Sequence, residues 1–183
     1  MAANGGRLRL GPDSGRLTLR TYRSGLAAQA GHDLTIEITR WSGELDRGDD
    51  IAASRLEVHI DIGSLVVREG SGGVKSLDDD DRANIEQTID DEVLKGSSIE
   101  FRSTGVALDG ERVSVRGDLT IGGRSAPVAF DLLLAGGRLA GSAVVRQSDW
   151  GIKPYSALFG TLKVADEVTV SIDARIKGDQ TDG

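Results

Sequence analysis

Two histidines, 29 carboxylates and no cysteine are the raw material for chemistry in this 183-residue chain. The lack of Cys excludes disulfides, thiolate nucleophiles and the commonest structural zinc sites. His32 and His59 lie far apart, without the His-x-His or His-Glu-x-x-His spacing that holds a metal. His32 and Asp33 are placed at the mouth of a cavity, where the imidazole could donate to a ligand's carbonyl or phosphate oxygen; Gly31-His32-Asp33 could equally cap the next strand. His59 alternates with Glu57 and Asp61 and reads as solvent-facing. Arg146 and Asp149 flank a strand end ahead of Trp150, placed to pair with each other or with a ligand head group. Asp78 to Asp81 lack the alternate acids, central Gly and terminal Glu of a calcium loop and fit a helix N-terminus better. No Gly-x-Ser-x-Gly elbow is present, so no residue is assigned a catalytic role and binding leads over catalysis.

The net charge of -7 argues against a nucleic-acid partner, which a basic stripe would attract. Much of it is local: between Asp78 and Lys95 eight acids face only Arg82 and Lys95, which disfavours laying that face on an anionic membrane. No run is apolar enough to predict stable membrane insertion, and Met1 to Leu10 carry no secretory h-region, so a cytoplasmic location is expected.

The elements that must position these groups are strands. Asp109-Gly110, Gly122-Gly123 and Gly136-Gly137 are two-residue turn signals between alternating apolar and polar runs, the mark of consecutive β-hairpins. Strands are expected over 16–23, 34–46, 56–62, 99–107, 111–121, 126–135, 138–147 and 167–177. A short helix is expected near 24–30, capped by Ser24, and another near 80–95 bearing Ile85, Ile89 and Val93, with its cap at Asp80 or Asp81. Tails of 1–14 and 178–183 flank a single domain over 15–177. Eight long strands avoid open edges by closing, so the expected fold is all-β, an eight-stranded antiparallel, lipocalin-like barrel.

The inward register collects Leu34, Ile36, Leu56, Val58, Ile60, Phe101, Val113, Val115, Leu119, Val128, Phe130, Leu132, Val145, Val170 and Ile172. These side chains either fill the barrel or line a lumen. Ser103, Gly105, Gly117, Gly141 and Ala143 in the same register suggest room, although interior glycines also mark bends. An aliphatic lumen would select an apolar chain, since burying one isoprene unit of roughly 100 Å² contributes on the order of 2.5 kcal/mol. The loop from Asp149 to Asp166 concentrates Trp150, Ile152, Tyr155, Leu158, Phe159 and Leu162, as a lid, a surface-folded loop or a homodimer interface would.

Six motifs carry a resemblance to a known family. They are Gly31-His32-Asp33-Leu34, Asp61-Ile62-Gly63-Ser64-Leu65, Phe101-Arg102-Ser103-Thr104, Gly117-Asp118-Leu119-Thr120-Ile121-Gly122-Gly123, Arg146-Gln147-Ser148-Asp149-Trp150-Gly151-Ile152 and Asp166-Glu167-Val168. Their order and spacing resemble the YceI-like, polyisoprenoid-binding family over roughly residues 15–177. The resemblance implies a lipocalin-like barrel with an isoprenoid quinone or polyprenyl chain in its lumen, and no cofactor beyond that lipid. The expected ligand-binding set is the lumen residues Leu34, Ile36, Leu56, Val58, Ile60, Phe101, Val115, Leu119, Phe130, Leu132, Val145 and Val170, with Trp150 and Phe159 from the loop and His32, Arg146 and Asp149 at the mouth. The chain departs from the family in lacking a signal peptide, in the acidity of 63–98, and in Leu94-Lys95-Gly96-Ser97-Ser98, where relatives carry a Pro. An enzyme acting on an amphiphile at the mouth, and a filled barrel serving as a protein-interaction module, are the alternatives.

Overall fold

A computed structural model describes residues 6–176, and within them the period of two dictates most of the structure. The strands are β1 (Arg7–Leu10), β2 (Gly15–Thr21), β3 (Arg23–Ser24), β4 (His32–Ile38), β5 (Trp41–Asp46), β6 (Arg55–Ile60), β7 (Leu65–Gly72), β8 (Ile99–Asp109), β9 (Arg112–Ile121), β10 (Arg124–Ala135), β11 (Arg138–Arg146), β12 (Ser156–Ala157), β13 (Leu162–Val164) and β14 (Glu167–Arg175). Eleven of them form one curled antiparallel sheet in the order β1-β5-β6-β8-β9-β10-β11-β14-β2-β4-β7; β12, β13 and β3 form a second, small sheet. Among the described residues no helix is long and apolar enough to cross a membrane.

The count is eleven, not the expected eight, because three stretches of chain bend. A turn at Gly11–Ser14, closed by the Ser14 and Gly15 N–H groups donating to Gly11 O, separates β1 from β2. Thr39 and Arg40 separate β4 from β5, and a 3₁₀ turn at Ile62–Ser64 separates β6 from β7. The last two bends face each other: Thr39 N–H donates to Ser64 O and Asp61 N–H to Arg40 O, both at about 3.0–3.1 Å. Asp61 pins this corner, accepting from Gly63 N–H at 2.9 Å and from Arg40 Nε at 2.8 Å. The sequence reading missed β7, since Leu65 and Val67 alternate over too few residues before Gly70 to stand out. It also read 1–14 as a tail, whereas Arg7–Leu10 pair with Asp46–Gly43; the tails at 1–5 and 177–183, including Lys177 of the last expected strand, lie outside the described residues.

The glycine turns behave as their chemistry requires. Gly122-Gly123 and Gly136-Gly137 all take positive φ between 57° and 81°, the conformation of the tight hairpin turn that matches strand twist. The first turn is shifted by one: Asp109 pairs with Arg112, so the loop is Gly110-Glu111. The helix near 24–30 is a single 3₁₀ turn, Ala28–Ala30, with no side-chain cap; Ser24 lies in β3. Helix α1 (Asp79–Thr88) starts one residue earlier than expected, with Asp78 and Asp81 forming a reciprocal capping box, and continues as a π-helical segment, Ile89–Leu94.

Helix α1 covers an edge. β7 pairs with β4 on one side only, and on its open side the Val67 N–H donates to Glu86 Oε1 at 2.7 Å. Ile85, Ile89 and Leu94 pack onto the cluster formed by Leu34, Ile36, Ile38, Trp41, Leu65 and Val67. A helix thus supplies the wall that a strand would otherwise have to supply.

The interior is filled at one end. Phe101 and Phe130 lie with ring centroids 5.5 Å apart, and Val106, Val113, Val115, Leu132 and Leu139 pack around them. Two expectations are corrected here. Gly117 and Gly141 are not loose spots: a Cβ on Gly117 would come within 2.4 Å of Arg102 O and 2.5 Å of the Phe101 ring, and one on Gly141 within 2.6 Å of Asp131 O. A bulge between Ser103 and Gly105 shifts the β8 parity, so that Val106 is buried and the Ser103 hydroxyl accepts from Leu56 N–H at 2.8 Å.

Glu86→Ala leaves the Val67 amide unpaired at the edge, and a loss of about 1–3 kcal/mol is expected. Chemical denaturation measures the loss, and amide exchange at Val67 should quicken; Glu86→Gln, which keeps an acceptor, should restore part of both.

Candidate functional site

Beyond the packed aromatic end the same walls stand apart and enclose a cavity of about 610 Å³. That volume falls in the ~300–1,000 Å³ range of small-molecule sites. The walls come from alternate residues of the bent strands. Leu17 and Leu19 of β2 face Leu34, Ile36 and Ile38 of β4, with Leu56, Val58 and Ile60 of β6 alongside; Leu119, Val128, Phe130, Val145, Val170 and Ile172 close the circle. Leu77, Ile85, Ile89 and Val93 enter from the helical side. One indole N–H in this wall, Trp41 Nε1, is buried without an acceptor among the described residues.

Charged groups reach the cavity at one end only. Arg23, His32, Asp81 and Lys163 form its rim, with Leu162 and Val164 of β13 laid across beside Tyr155, whose carbonyl accepts from Val164 N–H. The rim is tied together. Arg23 donates through Nη1 to Gly31 O at 3.0 Å, and its backbone N–H to Asp33 Oδ1 at 2.9 Å. His32 Nε2–H donates to Lys75 O at 2.7 Å, and Lys75 Nζ in turn meets Asp81 Oδ2 at 2.8 Å. Lys75 and the backbone N–H of Asp78 hold the Asp81 carboxyl below its ordinary value, and the same contact raises the Lys75 ammonium.

Of the sequence-predicted residues, the structure brings twelve to the cavity: Leu34, Ile36, Leu56, Val58, Ile60, Phe101, Leu119, Phe130, Leu132, Val145, Val170 and His32. Five lie elsewhere. Val115 is buried in the packed end. Trp150 is an anchor, its indole N–H donating to Leu119 O at 2.7 Å. Phe159 stands in solvent. Arg146 faces outward to Glu167 Oε1 at 3.2 Å, a contact that raises its guanidinium above the usual value, and Asp149 is exposed behind it. Strand parity explains the last correction: Val145 points in, so Arg146 must point out. The loop after it divides the same way, with Ile152, Tyr155 and Leu162 over the cavity and Leu158 and Phe159 away from it.

The sequence reading missed Arg23 and Lys163 as rim groups, while Tyr155 belonged to the loop read as a possible lid. Arg23 was within reach, because Leu17, Leu19, Thr21 and Arg23 share one parity and all four line the cavity. Lys163 was not, since its place depends on β13 pairing with β3. His59, read as solvent-facing, sits on the outer face 3.7 Å from Glu100.

Comparison with known proteins gives a consistent picture. A family model described as YceI-like domain matches residues 17–176. Among solved structures the fold is similar to that of BcnA from Burkholderia cenocepacia, with a TM-score of 0.61 and 16% identity over 87% of this chain and 94% of that one. It is also similar to the YCEI protein of Campylobacter jejuni, with a TM-score of 0.58 and 16% identity over 79% of this chain and 85% of that one. No curated protein matches the sequence.

The Lys75–Asp81 contact generates a pH dependence at the rim. A carboxyl depressed in the folded state contributes stability above its unfolded value near 3.8 and loses it as pH falls through the folded value. Carboxyl ¹³C titration should therefore place Asp81 below 3.8 in the native chain and nearer 3.8 in Lys75→Met. Amide exchange over 73–78 should rise as the native Asp81 protonates.

Proposed function

The chain belongs to the YceI-like family, and from that premise we propose that it binds an isoprenoid lipid, a polyprenyl chain or an isoprenoid quinone, as a carrier, storage or sequestration protein. Joining the segments that continue one another through bends, β1 with β2, β4 with β5 and β6 with β7, gives three bent strands beside the five others of the main sheet. Pairing runs from β7 through β4, β2, β14, β11, β10, β9 and β8 to β6, and the chain itself joins β6 to β7 through the turn at Ile62–Ser64, which supports reading the curled sheet as a lipocalin-like barrel.

One observation carries the proposal: the cavity is walled mainly by Leu, Ile, Val and Phe, and among the described residues its charged groups gather at one rim. Such a wall offers area and few directed hydrogen bonds, so it rewards an apolar chain and discriminates little by polar pattern. The chain lies inward, with its polar end among Arg23, His32, Tyr155 and Lys163. This replaces the mouth expected at Arg146 and Asp149. The same largely aliphatic wall supports binding over catalysis.

Mass spectrometry of organic extracts from the purified protein should recover an isoprenoid lipid. No lipid after repeated preparations, together with no uptake of added isoprenoid quinone or polyprenol, would sink the proposal. Ala143 faces the cavity opposite Val170, and Ala143→Phe should lower uptake of the added lipid at least tenfold while circular dichroism stays unchanged.

A further inference from the structure

Three apolar side chains stand in water next to the rim. Phe159 is 109% exposed, Leu26 97% and Leu158 56%. They project from one tip: Ala27 N–H, beside Leu26, donates to Thr161 O at 2.9 Å, and Thr161 N–H and Oγ1–H donate to Leu158 O at 3.2 and 2.7 Å. The backbone there is as unusual as the exposure. Leu158 and Phe159 both lie in the left-handed region, at φ 50° and 56°, which residues with bulky side chains avoid. That conformation aims Phe159 outward and leaves its ring without packing.

We propose that this tip is a docking surface for a lipid bilayer, with Leu26, Leu158 and Phe159 entering the interface and the rim opening toward the lipid. Charge favours this occupant. Arg23 and Arg146 are engaged by Asp33 and Glu167, whereas Lys163 beside the tip has no carboxylate partner within ion-pair distance among the described residues. The Lys163 stem runs past Gly160, 3.9 Å from where a Cβ would sit, so its ammonium is carried to the flank of the apolar tip. Aromatic and aliphatic groups flanked by a lysine are what an interface accepts, the rings in the acyl boundary and the ammonium group at phosphodiester depth. The acidic helix α1, with Asp79 to Asp81 in its first turn, resists a strongly anionic surface. The fitting bilayer is therefore zwitterionic.

The purpose of docking rests on the lipid-binding function proposed above, but docking itself is measured separately. Wild-type protein should cosediment weakly with phosphatidylcholine vesicles, and the triple variant Leu26→Ser, Leu158→Ser, Phe159→Ser should partition at least tenfold less. The variant should still take up an added isoprenoid quinone, which shows that it is folded, and should load more slowly from vesicles. Equal partition of the two proteins, or no vesicle binding by the wild type, overturns docking. So does concentration-dependent self-association that the triple variant abolishes without any change in vesicle binding, since the tip would then be a contact between two copies. Vesicle binding without uptake of the quinone overturns the lipid-binding function and leaves docking standing.

Discussion

Everything inside this molecule depends on how the open edge of β7 is closed. A curled sheet encloses an interior only if its last strand meets a partner, and β7 runs beyond the point where β6 pairs with β8. The chain meets this with a helix. Glu86 takes the Val67 amide hydrogen, and Ile85 and Ile89 supply the apolar surface that a neighbouring strand would have supplied. The acidity of this stretch is then the outer face of a wall element, and the capping box at Asp78 and Asp81 fixes where that element starts. Because the same turn carries the Lys75 contact that leads to His32, closing the edge and shaping the rim are one structural event.

The contrast between the two ends of the interior is a matter of side-chain size and backbone approach. Where Phe101 lies on Gly117 the strands come close and the space is spent on aromatic packing. Where Leu, Ile and Val face one another across the bent strands, with Ala143 between them, the walls do not meet. Small residues thus mean opposite things at positions on β9 and β11. Gly117 makes room for a ring that is already there, whereas Ala143 borders space.

Alternation made most of the fold legible in the sequence. The hairpin turns at Gly122 and Gly136, the inward set from Leu34 to Val170, and the helical spacing of Ile85, Ile89 and Val93 followed from it directly, because each depends on local period and local turn chemistry. The split strands did not follow, since the bends at Thr39 and Ile62 are set by hydrogen bonds between residues over twenty apart in sequence. The rim was legible in part. His32 was found from its motif, and Arg23 obeyed a parity that the reading stopped short of extending. Arg146 and Asp149 were misplaced because adjacency to a strand end was taken as adjacency to the mouth, and the parity of Val145 decides otherwise. Phe159 went astray for another reason, since apolar composition says that a loop seeks burial but not which of its residues obtains it.

The packed aromatic end has a consequence for whatever enters at the other. Phe101 and Phe130 take up part of the interior and limit how deep an elongated guest can reach, so the cavity acts as a gauge. An elongated guest shorter than the cavity draws its polar end down among aliphatic side chains and loses hydration there, and one longer than the cavity leaves a segment outside. Only a guest whose length equals the depth sets its polar end level with Arg23 and Lys163. Under the proposed lipid-binding function, length rather than chemical pattern is the property such a cavity would read.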